Sequence, residues 1–125
     1  MRTPNPTLTP QELAIMKVVW KLETATVRHI YEDLRTHRDI AYTTVLTMMK
    51  ILEQKGYVKK TKADRAFVYR PVQPRQQVLG GMVREFVDRV FDGAARPLLV
   101  HLAADTRLSK ADRAELKRLV DGAES

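Results

Sequence analysis

Three short amphipathic helices, a basic two-stranded hairpin behind them, and a helical tail beyond two prolines predict a mainly α protein. The first two features together are the layout of a winged helix-turn-helix domain with a small β-hairpin wing. The third adds a three-helix C-terminal region whose broad apolar faces call for a partner. Pro71 and Pro74 punctuate the chain between them, so a winged-helix domain over residues 1–72 and a helical, self-associating (dimerisation) domain over residues 73–125 are expected.

The first helix is announced by LTPQEL. Thr9 suits the N-cap, Pro10 the first helical position, and Glu12 completes a capping box. Leu8 and Leu13 occupy the two positions of a hydrophobic staple. Leu13, Met16, Val19 and Trp20 continue as an apolar stripe, which predicts a helix from Pro10 to about Lys21. A second helix fits Val27 to Arg35, capped by Thr26, with Val27, Ile30, Tyr31 and Leu34 turned inward. The third runs to about Lys55, where Gly56 supplies a stop. Beyond it, YVKKTK (Tyr57 to Lys62) and AFVYRP (Ala66 to Pro71) are short and β-prone. Ala63-Asp64-Arg65 between them reads as a three-residue hairpin tip.

In the tail, VLGGMVREFVDRVF sets Leu79, Val83, Phe86 and Val90 at the four-three spacing of a packing seam. Met82, Val87 and Phe91 widen it. Gly80-Gly81 inside this helix costs roughly 1 kcal/mol per glycine relative to alanine, which points to close packing or to a bend. Gly93 ends the helix. The short apolar segment PLLVHLAA follows with Leu98, Leu99 and Leu102. Ser109 then caps a last helix carrying Leu116, Leu119 and Val120. Asp112 takes its third position, at the end that favours negative charge. So small a piece has trouble burying such faces alone. Homodimerisation through these residues is therefore expected over packing back onto the first domain.

Composition narrows the function classes. The 125 residues are 44% hydrophobic and 30% charged, the balance of a soluble globular chain. No apolar run reaches the roughly 20 residues of a membrane span, and MRTPNPTLTP lacks the apolar core of a signal peptide. A cytoplasmic protein without a membrane partner is expected. The absence of cysteine excludes disulfide frameworks, thiolate metal sites and cysteine nucleophiles. His29, His37 and His101 are scattered without chelating spacing, and there is no nucleophile elbow, phosphate-binding glycine loop or His-Glu-x-x-His stretch. No enzyme, metal or cofactor is expected. The net charge of +7 favours polyanions, although charge alone is a weak indicator and its location must decide.

The third helix carries the most informative pattern, AYTTVLTMMK. With successive residues 100° apart, Met48, Met49 and Leu52 gather around Val45 as an inward face. Thr43, Thr47, Lys50 and Gln54 gather opposite, flanked by Thr44, Leu46 and Ile51. In a helix-turn-helix the N-terminal part of this helix enters the major groove. Short hydroxyls there can bond phosphates or base edges, and apolar groups can touch thymine methyls. Thr43, Thr44, Leu46 and Thr47 are the candidates for bases or nearby phosphates; Tyr42, Lys50 and Arg65 are candidates for positioning the protein on the backbone. A merely solvated face is the alternative, but threonine is a mediocre helix former and an odd choice for it. On the hairpin, Lys59, Lys60, Lys62 and Arg65 crowd against a single acid, Asp64, within reach of phosphates. Lysines also protect a sheet edge, and the two roles are compatible. Arg28, at the start of the second helix, is a further phosphate candidate.

LTPQELAIMKVVW, TVRHIYEDL, AYTTVLTMMKILEQKGYV and RAFVYRPV together resemble the penicillinase repressor (BlaI/MecI) family, over nearly the whole chain. LSKADRAELKRLV near the end fits as well. The resemblance implies an N-terminal winged helix, a C-terminal dimerisation region, and repression of transcription at palindromic operators in double-stranded DNA. It also implies that the helix matching Tyr42 to Lys55 reads the major groove, supported by the hairpin matching Lys59 to Phe67. Two departures accompany the resemblance. Copper-responsive relatives carry a cysteine-rich tail, which this chain lacks. Antibiotic-responsive members are cleaved at an Asn-Phe bond in the dimerisation region, where His101-Leu102 stands here. That replacement counts against a membrane-anchored sensor protease as a partner at this bond. From a different class, a winged-helix interaction adaptor without sequence-specific DNA binding stays open, because fold alone does not fix function.

Overall fold

Thr9 starts the first helix in the way a capping box requires. In the computed structural model, which describes residues 7–105 and 107–124, α1 spans Pro10–Leu22. The Thr9 hydroxyl accepts the Glu12 backbone N–H at 3.2 Å, and the Thr9 N–H donates to Glu12 Oε1 at 2.8 Å. Leu8 is buried and Leu13 half-buried beside this cap. α2 (Val27–Leu34) opens with a second box built on a histidine. Thr26 Oγ1 accepts the His29 N–H at 3.1 Å, and His29 Nδ1 accepts the Thr26 N–H at 3.2 Å. α3 spans Tyr42–Lys55 and closes on Gly56, whose φ of 87° is open to glycine without a Cβ penalty. Ile15, Met16 and Val19 of α1, Ile30 of α2, and Val45, Met49 and Leu52 of α3 are fully buried and form the centre of the core.

β1 (Val58–Ala63) and β2 (Ala66–Pro71) pair antiparallel, Val58 opposite Pro71 and Ala63 opposite Ala66. The tip is therefore the two residues Asp64-Arg65, not the three expected from the sequence. Asp64 adopts φ 55°, a left-handed conformation its short polar side chain tolerates, and this lets the strands pair one residue further. The base of the hairpin is bonded to the α1–α2 connection. Ala25 N–H donates to Tyr69 O at 3.0 Å and Tyr69 N–H to Ala25 O at 2.8 Å.

The chain leaving β2 stays fastened. Val72 N–H donates to Tyr57 O at 3.0 Å, and Trp20 Nε1–H to Gln73 O at 3.0 Å. α4 follows as Arg75–Phe91, α5 as Ala95–Ala103 and α6 as Lys110–Glu124. The chain divides into two compact units, Met1–Val78 and Leu79–Ser125, so the division falls inside α4, past the prolines. In the second unit Gly93 takes φ 86° after α4, and Ser109 Oγ accepts the Asp112 N–H at 3.0 Å to cap α6. Between α5 and α6, the Asp105 carboxylate accepts the Arg107 Nη2, backbone N–H and Nε at 2.8, 2.9 and 3.1 Å. Those bonds, the side-chain ones foremost, hold its carboxyl below the ordinary value.

One long-range pair joins the two ends of the helical core. Lys55 Nζ, in the last turn of α3, meets Glu12 Oε1 at 2.7 Å and lies 3.4 Å from Thr7 O. The Glu12 side chain is only 4% exposed. Burial by itself would raise its carboxyl. The Lys55 and Thr9 hydrogen bonds and the Lys55 charge outweigh it and hold the carboxyl below its ordinary value. A depressed folded value means the pair stabilises fully above that ordinary value and loses its contribution as pH falls through the folded value. Glu12→Gln is expected to cost about 2 kcal/mol at neutral pH. In urea unfolding repeated across pH, the gap between variant and wild type should close progressively below pH 4.5; a gap independent of pH would show that the charge is not what counts.

Candidate nucleic-acid interface

The packing of α3 decides what it shows outward. Val45, Met49 and Leu52 are fully buried, while Thr43, Thr47, Lys50 and Gln54 are exposed on the other side. Thr44, Leu46, Met48 and Ile51 are half-buried along the flanks, so Met48 lies nearer the edge of the inward face than its centre. α1 and α2 begin with side-chain caps, whereas α3 begins at Ala41 with none. Its first N–H groups keep no side-chain acceptor, at the helix end that favours anions.

An aromatic and arginine cluster fixes this end. The Tyr42 ring stands edge-on to Tyr31 with centroids 5.5 Å apart. The Arg28 guanidinium lies 5.1 Å from the Tyr42 centroid, and Arg35 5.6 Å from that of Tyr31. Arg28 is 3.9 Å from Glu32, but both side chains are largely exposed, so the pair contributes little and leaves the arginine available. Arg28 thus lies beside Tyr42 at the start of α3, where the sequence alone places it only at the start of α2.

On the wing, Lys60, Lys62 and Phe67 share the face that carries the buried Val58 and Tyr69, while Lys59 and Arg70 take the opposite face. Lys60 Nζ reaches Glu53 of α3 at 3.7 Å and lies 4.6 Å from the Phe67 ring centroid. Arg65 is exposed at the tip. Burial, with the Glu53 carboxylate and Tyr42 adding, pushes the Tyr69 hydroxyl above its ordinary value. Tyr31, Glu53 and Phe67 are therefore part of this surface, although the sequence does not single them out for it. Their roles come from contacts between distant segments, which leave no local pattern. Among the described residues no group of His, Cys, Asp and Glu could hold a metal, and no helix is long and apolar enough to cross a membrane.

Charge is divided unevenly. Up to Val78 there are fourteen Lys and Arg against seven Asp and Glu; from Leu79 onward there are eight of each. The whole surplus of +7 belongs to the unit that carries α3 and the wing. A family model described as penicillinase repressor matches residues 8–122. The chain belongs to the penicillinase repressor family. The transcriptional regulator BlaI of Mycobacterium tuberculosis is 35% identical over 103 residues, covering 81% of this chain and 75% of that protein. The penicillinase repressor of Bacillus licheniformis is 24% identical over 116 residues, covering 93% and 91%. Among solved structures, the DNA-binding domain of the repressor BlaI matches with a TM-score of 0.53 and 29% identity, over 60% of this chain and 90% of that one. The monomeric form of Bacillus licheniformis BlaI in complex with the blaP half-operator matches with a TM-score of 0.51 and 29% identity, over 58% and 88%.

The residues expected at a dimer interface fall in the second unit of this family member. Val83, Phe86, Val90, Leu102 and Leu119 are exposed, Val83 and Leu119 by 56% and 57%. Leu79, Phe91, Leu98 and Leu99 are half-buried, and Phe86 and Phe91 meet edge to face at 6.0 Å. Leu116 is buried, and the side chain of Val120 lies outside the described residues. His101-Leu102 is part of α5.

The two faces of α3 should separate in stability measurements. Met49→Ala, which empties a fully buried site, is expected to cost about 2–5 kcal/mol. Thr47→Ala is expected to change stability by less than about 0.5 kcal/mol. Urea unfolding of the purified variants checks both, and comparable effects at the two positions would contradict this rotational setting of α3.

Proposed function

We propose that this chain is a homodimeric, sequence-specific DNA-binding repressor that occupies palindromic operators and blocks transcription. The observation that carries this reading is the exposed Thr43/Thr47/Lys50 face of α3, in the unit holding all of the net charge. The match to BlaI in complex with a half-operator supports the same use of the domain. Thr43, Thr44, Leu46 and Thr47 contact base edges or adjacent phosphates in the major groove. Tyr42, Lys50 and Arg65 set the protein on the backbone, with Arg28, Lys60 and Lys62 as further phosphate contacts. The exposed apolar residues of α4, α5 and α6 join two copies, and the dyad places two α3 helices about 34 Å apart, or a multiple of it. The protein works in the cytoplasm, where its operator is, and needs no cofactor.

Gel shifts with the promoters of its own gene and neighbouring genes, at several salt concentrations, test the proposal. Binding should be far tighter than to random DNA and should weaken steeply with salt. No preference over random DNA would return the domain to an interaction adaptor. Lys50→Ala and Arg65→Ala should weaken binding to every sequence alike and lower the salt slope by roughly one for each phosphate no longer neutralised. An unaltered slope would remove that residue from the interface. Replacing Thr43 or Thr47 by alanine should instead cost on the order of 1–3 kcal/mol at a single operator position. Equal weakening on operator and random DNA would demote the threonine to a backbone contact.

A further inference from the structure

Gly80 and Gly81 stand together as the sixth and seventh residues of α4, both exposed, and a Cβ added to either would meet no heavy atom within 4 Å. Neither has a positive φ. Packing within the chain therefore does not require glycine at these positions, and neither does backbone conformation. What two adjacent glycines do to a 17-residue helix is weaken it at one place, through backbone freedom and the lack of side-chain cover.

Their place in the chain gives that weakness a use. On the N-terminal side the chain is fastened to the first unit: Val72 is bonded to Tyr57, Gln73 to Trp20, and Val78 is the last residue of that unit. Two prolines stiffen the same stretch. On the C-terminal side, Leu79 onward belongs to the second unit. α4 therefore runs from the first unit into the second without a loop, and Gly80-Gly81, its softest place, come directly after the first residue of the second unit.

We propose that Gly80-Gly81 is a pivot at which each DNA-binding unit changes its angle to the dimerisation unit, and that these two glycines set the range of half-site separations one dimer accepts. The proposal rests on the repressor reading above. Adding one base pair between half-sites moves the second by about 3.4 Å along the duplex and about 34° around it. A stiff α4 transmits that mismatch to the DNA contacts. A helix that bends at two glycines absorbs it away from the contacts, so several spacings are bound with similar affinity.

The test compares wild type with Gly80→Ala/Gly81→Ala, a change that favours the helix and leaves the DNA-reading residues untouched. The probes are the duplex that the wild-type chain selects from a random-sequence pool, its single half-site, and duplexes with one base pair added or removed between the half-sites. Expected are equal half-site affinity, equal dimer mass in sedimentation, a higher Tm, and a drop in affinity on respaced duplexes about tenfold or more beyond that of wild type. Equal drops in both proteins would overturn the pivot. Loss of dimerisation in the variant would overturn it too, because the glycines would then serve close approach between copies. A DNA-free measurement keeps the two proposals apart. With no native cysteine, Lys17→Cys and Lys117→Cys carry spin labels in dimers diluted with unlabelled chain, and their distance distribution should narrow in the double variant. An unchanged width would sink the pivot even if operator binding is confirmed. Failure of wild type to select any sequence, with narrowing still seen, would sink the repressor reading and with it the assignment of half-site spacing to these glycines.

Discussion

The surface this domain offers depends on the rotational setting of α3. Val45, Met49 and Leu52 lie on one side of the helix and are fully buried, so they fix its phase against α1 and α2. A turn of one residue, roughly 100°, would carry threonines and Lys50 toward the core and leave their hydroxyls and charge without water. Each end of the helix has its own fastening. Tyr42 is held edge-on by Tyr31 at the start, and Lys55 is held by the buried Glu12 carboxylate at the end. Glu12 also closes the Thr9 cap of α1, so one carboxylate ties the beginning of the first helix to the end of the third. None of these fastenings lies on the exposed threonine face. Its side chains are consequently free to be chosen for what they touch outside the molecule.

The wing follows from the same frame. Ala25 and Tyr69 bond its base to the α1–α2 connection, and the Glu53–Lys60 pair spans from α3 to β1. At 3.7 Å between partly exposed side chains, that pair is weak. A phosphate that drew Lys60 away would displace little. Charge supports this division of labour, because the first unit holds the full surplus and the second is neutral. Screening over roughly 8 Å at physiological salt confines most of the attraction for a polyanion to the unit that carries the surplus. In the proposed dimer, a neutral second unit would meet another copy without net like-charge repulsion.

How much of this is legible in the sequence follows the range of the interaction. The Thr9–Glu12 box, the Gly56 stop and the two faces of α3 are local or periodic, and the residues that encode them lie within a few positions of one another. The hairpin is legible as a pair of strands, but its tip reads one residue too long, because alanine at Ala63 gives no strong strand signal. The left-handed Asp64 that tightens the turn is equally compatible with a longer loop. His29 reads as a scattered surface histidine; its capping bond to the Thr26 N–H has a local spacing, yet histidine is an unusual residue for that role. Glu12–Lys55 and Trp20–Gln73 connect residues 43 and 53 positions apart. No window of the sequence contains both partners. Gly80-Gly81 stands out in the sequence as a defect in an otherwise regular helix, and only the open space around it removes close packing within the chain as its cause.

The second unit brings folding and association under one constraint. Val83, Phe86 and Val90 recur along α4 at helical spacing and are all exposed, as are Leu102 of α5 and Leu119 of α6. A piece of this size buries a small fraction of its surface, so the entropy of ordering its helices leaves it marginal by itself. In the proposed dimer that surface is covered by its equivalent on a second copy, so the stability of the unit rises with protein concentration. On that proposal, DNA occupancy would be linked to the same equilibrium. In the proposed dimer, a half-site bound by one first unit would raise the effective concentration of the other unit at the second half-site, and the gain would last only while the dimer holds. On the proposed reading, modest contacts from short threonines and a few cations would suffice for tight operator binding, provided the second unit remains associated. If the proposed dimer holds, weakening the apolar faces of the second unit would lower affinity for a full operator while leaving affinity for a single half-site unchanged, and control of repression would then lie away from the exposed face of α3.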